Sequence, residues 1–180
     1  MPNGNFGKQA AAGETAENLA FRPVSTHLLP HYKDGLFELA FPEIVNYVDA
    51  TFNTIPDKAH RAIAGLSMGG MHTLMITANY PDMFNYIGLY SAGVDFSHLN
   101  MEEVPAYANL DAKLTKLAQG NPKLYWIACG NEDWLLPANK QLMERMDKDG
   151  LKYTFHESPR GHLWCNWRQY SLLFIPQLFK

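Results

Sequence analysis

Three residues of this chain could together make an acyl-transfer centre: a serine on a glycine-flanked turn, an acid after a Gly-Asn pair and a histidine in a later loop. The serine is Ser67, within Arg61-Ala-Ile-Ala-Gly-Leu-Ser-Met-Gly-Gly70. A serine hydroxyl is a poor nucleophile at neutral pH. It needs a base within hydrogen-bond reach and a group that orients the base. The order Ser67, Asp133, His162 supplies all three. Ser67 would attack an acyl carbon, and His162 would take its proton and pass it to the departing alcohol. Asp133 would hold the imidazole tautomer and steady the imidazolium.

The surrounding spacing fits a strand, a tight turn and a helix, with Ser67 at the tip. Side chains two residues before and after the serine are expected to collide with strand or helix, which places glycine at both Gly65 and Gly69. The amide of Met68, first in the helix, is the expected first oxyanion donor. Trp134, Leu135 and Trp164 flank the acid and the base. They could wall in a bound acyl or aryl group, or pack between helix and sheet.

Other residues compete for these roles. Glu132 adjoins Asp133, and Asp95 follows the neighbouring strand, but the place of Asp133 in the turn opened by Gly130-Asn131 favours it over Glu132. His156 lies inside a strand, where its direction is fixed, so the loop histidine His162 is preferred. His72 follows Ser67 by one and a half helical turns and reads as structural. His60 and His98 have no recognisable partner, and His27 and His31 read as solvated loop residues.

Positioning these groups requires alternating strands and helices. Apolar residues at Phe37, Phe41, Ile44, Val45, Val48 and Phe52 mark an amphipathic helix, with Pro42 in its first turn or at a kink. Strands are expected over Arg61–Gly65, Tyr86–Ser91, Leu124–Gly130 and Lys152–Glu157. Helices are expected over Ser67–Asn79, Ala138–Lys148 and Leu163–Leu178. Met101–Tyr107 and Leu110–Leu117 are weakly helical, and residues 2–35 read as a long loop with a short helix near Ala16–Leu19. The alternation predicts an α/β fold, a mostly parallel sheet with helices on both faces. In such sheets chemistry gathers beyond the C-terminal strand ends, where Ser67, Asp133 and His162 all fall.

Composition sets wider bounds. The 180 residues, 47% of them hydrophobic, suit one domain with a substantial core. A net charge of −3 without a basic patch argues against nucleic acid or a membrane surface as partner. No apolar run is long enough to span a bilayer. Cys129 and Cys165 form no metal-ligand spacing; Cys129 reads as a small buried hydrophobe, and a disulfide between them has no support. No phosphate-binding glycine loop and no zinc-type histidine pattern appears, so no cofactor is expected.

Four segments carry a family resemblance: Arg61 to Gly70, Pro81-Asp-Met-Phe84, Gly130-Asn-Glu-Asp133 and Gly161-His-Leu-Trp-Cys-Asn-Trp-Arg168. They resemble the esterase D-like family of α/β-hydrolases, most nearly bacterial feruloyl and acetyl-xylan esterases. Glu43 to Asp49 is similar to the helix before the nucleophile strand, with Asn46 where proline is frequent. Met1-Pro-Asn-Gly-Asn5 is similar to the end of an earlier strand and does not have the shape of a signal peptide. The resemblance implies an α/β-hydrolase fold with Ser67, Asp133 and His162 as triad and Met68 as one oxyanion donor. It implies hydrolysis of feruloyl or acetyl esters on plant cell-wall polysaccharide, and an exported protein, the compartment itself being unmarked.

The first strands of that family and the loop carrying its second oxyanion donor have no counterpart, so the chain is expected to be N-terminally incomplete. Loss of one such donor costs about a hundred- to a thousandfold in rate. The strand before Ser67 would then expose an edge through which a homodimer could form. Two further readings follow: an inactive scaffold or carbohydrate binder, and a thioesterase or acyltransferase of the same family.

Overall fold

The computed structural model describes residues 34–97 and 100–180. The loop and short helix expected before residue 34, with His27 and His31, lie outside the described residues, as does His98. Four strands run β1 (Ala62–Leu66), β2 (Tyr86–Tyr90), β3 (Leu124–Gly130) and β4 (Thr154–Ser158). They pair in sequence order, every pair parallel. Among the described residues, five α-helices precede, connect or follow them: α1 (Leu36–Thr51), α2 (Met68–Asn79), α3 (Leu110–Gln119), α4 (Leu136–Lys148) and α5 (Trp164–Phe174). None of these helices is long and apolar enough to cross a membrane.

The strand sequences explain the layering. β2 is buried along its whole length and β3 nearly so, as strands covered on both faces must be. Alternate residues then serve two cores. Ile63, Ile87, Leu89, Tyr125, Ile127 and Phe155 meet Leu74, Met75, Leu114, Leu142 and Met146 on one face, beneath α2, α3 and α4. Ala62, Leu66, Tyr86, Tyr90, Trp126 and Ala128 meet Trp167, Tyr170 and Phe174 of α5 on the other. Helices therefore cover both faces, as the alternation predicts.

The register lines up the strand ends. Leu66 lies beside Tyr90, Tyr90 beside Ala128 and Gly130 beside Ser158. Ser67, Asn131 and Pro159 thus leave the sheet along one rim. β1 is an edge of this sheet among the described residues.

Several expectations need adjustment. Pro42 lies well inside α1 instead of in its first turn. It has no N–H to give Glu38 O, the carbonyl four residues back; the next carbonyl, Leu39 O, accepts from Tyr80 Oη at 2.7 Å. Met101–Tyr107 forms only a short 3-10 turn, Met101–Glu103. The last helix ends at Phe174 because Pro176 cannot continue it, and a 3-10 turn over Ile175–Gln177 follows.

Behind the site, α1 is fastened to α2 by a buried polar cluster. Glu38 is fully buried and meets His72 Nδ1 at 2.7 Å, and Tyr107 Oη donates to Glu38 at 3.3 Å. Burial and the neighbouring Glu38 charge hold the Tyr107 phenol well above its usual range. His72 is therefore structural, as its place on the helix suggests.

Candidate active site

Ser67 stands between β1 and α2 with φ 53° and ψ −119°, a conformation that L-residues adopt only when their surroundings impose it. Those surroundings are visible. Ser67 N–H donates to Tyr90 O at 2.9 Å, and Ser67 O accepts from Gly93 N at 2.7 Å and Gly70 N at 3.0 Å. Gly65 makes the bend possible, because a Cβ there would lie 2.1 Å from Gly69 O. Gly69 itself is not constrained as expected: a Cβ there meets no described atom within 4 Å. The crowded glycine on the helix side is Gly70, whose Cβ would sit 2.7 Å from Ala92 Cβ. The chain after β2 crosses over Gly70, a long-range packing demand that local spacing does not show.

The turn after β3 holds the acid. Asp133 N–H donates to Gly130 O at 3.1 Å, and its buried carboxylate accepts from Leu135 N at 3.0 Å. That N–H precedes the first turn of α4, where helix geometry leaves donors free and favours negative charge. The loop after β4 holds the base. Glu132 N–H donates to Arg160 O at 3.0 Å and Asn131 N–H to Ser158 O at 2.7 Å, tying the two loops together.

The three side chains form one hydrogen-bonded line. His162 Nε2 lies 3.0 Å from Ser67 Oγ, and His162 Nδ1 lies 3.0 Å from Asp133 Oδ2 and 3.2 Å from Oδ1. His162 keeps 19% of its side chain exposed, while Asp133 keeps none. The acid is dry and the base reaches the surface, which suits a base that must meet substrate. Met68 opens α2 directly after Ser67, so its amide belongs to the first-turn N–H groups that a helix leaves without a backbone partner.

The competing residues fall elsewhere. Glu132 and Asp95 are exposed, and Asp95 accepts hydrogen bonds from Ser97. His156 stacks on Trp126 at 5.9 Å beneath α5. His60, without an evident partner in the sequence, pairs with Asp57 at 2.7 Å. Both cysteines are free. Burial and the adjacent Asp133 charge push the Cys129 thiol up to about 12, so it stays protonated and does not compete as a nucleophile.

Of the expected apolar wall, Trp134 and Trp164 are exposed, and Leu135 is not. Leu135 is 2% exposed because the tight turn alternates its side chains: Asp133 in, Trp134 out, Leu135 in. Trp134 lies 5.4 Å from the His162 ring, while Trp164 packs against Trp167 at 5.1 Å.

Sequence reasoning missed three supports. Trp167, buried in α5, meets the imidazole edge-on at 4.8 Å. Asn166 Nδ2 donates to Pro159 O at 3.0 Å and Gly161 O at 3.1 Å, clamping the histidine loop. Its signal was present: a polar residue on the otherwise apolar buried face of α5, with Trp167, Tyr170 and Phe174. Gly130 lets the acid and base loops touch, since a Cβ there would lie 2.1 Å from Arg160 O.

Comparison with known proteins finds similarity to esterases. A family model described as "Putative esterase" matches residues 1–173. An "Endo-1,4-beta-xylanase/feruloyl esterase" of Xylanibacter ruminicola is 53% identical over 139 residues, covering 77% of this chain and 17% of that protein. An "Acetyl esterase" of Caldicellulosiruptor saccharolyticus is 27% identical over 157 residues, covering 71% of this chain and 58% of that one. A solved "ferulic acid esterase" is 25% identical with a TM-score of 0.62, covering 78% of this chain and 59% of that one. The chain thus spans less than two thirds of each of these relatives. With the parallel sheet, the strained serine at its rim and a match along nearly all of its length, the chain has an α/β-hydrolase fold and belongs to the Putative esterase family.

Proposed function

We propose that this protein is a serine carboxylic-ester hydrolase that works through an acyl-enzyme, acting on feruloyl or acetyl esters of plant cell-wall polysaccharide. The observation that carries the reading is the continuous line Ser67 Oγ, His162 Nε2, His162 Nδ1, Asp133 carboxylate, with 3.0 Å at each junction. In the first half-reaction His162 takes the Ser67 proton as Oγ bonds to the acyl carbon. It then gives that proton to the alcohol oxygen as the ester C–O bond breaks. In the second half-reaction His162 takes a proton from water, whose oxygen attacks the acyl carbon, and returns it to Ser67 as the acid leaves. Asp133 steadies the imidazolium in both halves, and the Met68 N–H meets the oxyanion. The acyl and sugar assignment draws on the names of the similar proteins, a feruloyl esterase and an acetyl esterase.

Turnover of nitrophenyl acetate and methyl ferulate tests the reading. Ser67→Ala and Asp133→Asn should each lower kcat by about ten-thousandfold, with far-UV circular dichroism unchanged. Retention of near-wild-type turnover by Ser67→Ala would refute it.

A further inference from the structure

We infer that Trp134 is the surface on which the sugar ring of the leaving alcohol rests. The inference rests on the hydrolase reading above and deepens it. His162 must protonate the ester oxygen that departs, so that oxygen has to come within hydrogen-bond reach of Nε2. Whatever is bonded to it then spreads over the groups beside the imidazole. Two indoles stand there. Trp167, 4.8 Å from the ring, is 8% exposed and already enclosed by α5 and the sheet. Trp134, 5.4 Å away and tilted by 48°, is 71% exposed. Of these two, Trp134 is the one that can offer its face to a ligand at that bond.

The platform is rigid because the turn that carries it is. Hydrogen bonds bracket Trp134 on both sides: Asp133 N–H to Gly130 O at 3.1 Å, Leu135 N–H to Asp133 Oδ1 at 3.0 Å and Leu136 N–H to Asp133 O at 2.9 Å. The buried Leu135 side chain anchors the next residue. A bare, fixed indole matches the C–H face of a sugar ring, which offers a flat apolar surface while its hydroxyls stay in water. Trp164 is exposed too, but the ring it packs against is Trp167, at 5.1 Å. The acyl group, attached at the carbonyl carbon, points away from the leaving oxygen and so does not select for Trp134.

A matched pair of esters separates the two sides of the bond: methyl ferulate and a feruloylated pentose oligosaccharide share the acyl group and differ only in the alcohol. In Trp134→Ala the ratio of kcat/KM for the sugar ester to that for the methyl ester should fall about tenfold, chiefly through KM, with Trp134→Phe in between. An unchanged ratio, whether both activities fall together or neither falls, overturns the inference, because Trp134 would then only steady His162 or do nothing. Calorimetry with the feruloyl-free oligosaccharide gives a readout independent of turnover. Ser67→Ala should bind it and Ser67→Ala/Trp134→Ala should bind it at least fivefold more weakly; equal binding, or none to either, overturns the inference. Failure of the hydrolase reading would show differently, as equal ester turnover by the wild type and Ser67→Ala.

Discussion

In the proposed reading, single residues of this molecule are reactive or inert according to what touches them. Ser67 sits at φ 53°, beside an imidazole that a buried carboxylate holds. The two cysteines make the same contrast without catalysis. Cys129 lies under Asp133, where burial first and the carboxylate charge second keep its thiol protonated. Cys165 is exposed, and its hydrogen bond from Arg160 Nη1 at 3.5 Å, aided by the guanidinium charge, lowers its pKa from the usual thiol value. A lower folded-state pKa means more thiolate at a given pH, so alkylation should favour Cys165. Iodoacetamide at pH 7.5 should label Cys165 and spare Cys129 in the native protein, and Arg160→Ala should slow the labelling of Cys165. Peptide mapping with a time course checks this, and preferential labelling of Cys129 would contradict it. The meeting of Ser67, Asp133 and His162 was legible because each follows a strand end in a fixed chain order. The partners of His72 and His60 were not, for different reasons. Glu38 reaches His72 only through the docking of α1 on α2, whereas Asp57 caps a three-residue turn too short to leave a periodic signal.

At the scale of elements, the strand–turn–helix unit around Ser67 depends on backbone proximity more than on side-chain chemistry. The motif suggested two equivalent glycines, and the structure separates them. Gly65 faces the Gly69 carbonyl at a distance no Cβ can occupy, whereas Gly69 points away from every described atom. Gly65→Ala should therefore lower the melting temperature by at least 5 °C and reduce ester turnover by more than a hundredfold. Gly69→Ala, within α2, should keep the melting temperature or raise it by removing about 0.5–1 kcal/mol of helix penalty. Thermal denaturation of both variants decides the matter, and equal destabilisation would contradict the account. Element ends were read less well than their existence. The sequence placed β1 and β4 within two residues of where they lie. It overextended α5 past Phe174 and read a helix at Met101–Tyr107, where only a 3-10 turn forms. There Pro105 breaks the backbone pattern while Val104 and Ala106 still pack on the core.

For the whole molecule, parallel pairing in simple sequence order is what makes one site out of three distant segments. Residues 95 positions apart meet at 3.0 Å because every strand delivers its following loop to one rim. The apolar runs made that architecture legible, since strands buried on both faces read as unbroken hydrophobic stretches. The close approach of the acid and base loops at Gly130, and the two carbonyls that Asn166 clamps, follow only from the assembled sheet and α5. The central claim, that this assembly activates the Ser67 hydroxyl, is tested most directly by a fluorophosphonate probe, which bonds to a serine oxygen as the neighbouring base removes its proton. Peptide mass spectrometry should find the adduct on Ser67 in the wild type, none at that position in Ser67→Ala and much less in His162→Ala. An unmodified Ser67 in a protein that still turns over esters, or an adduct that forms just as readily without His162, would contradict the account.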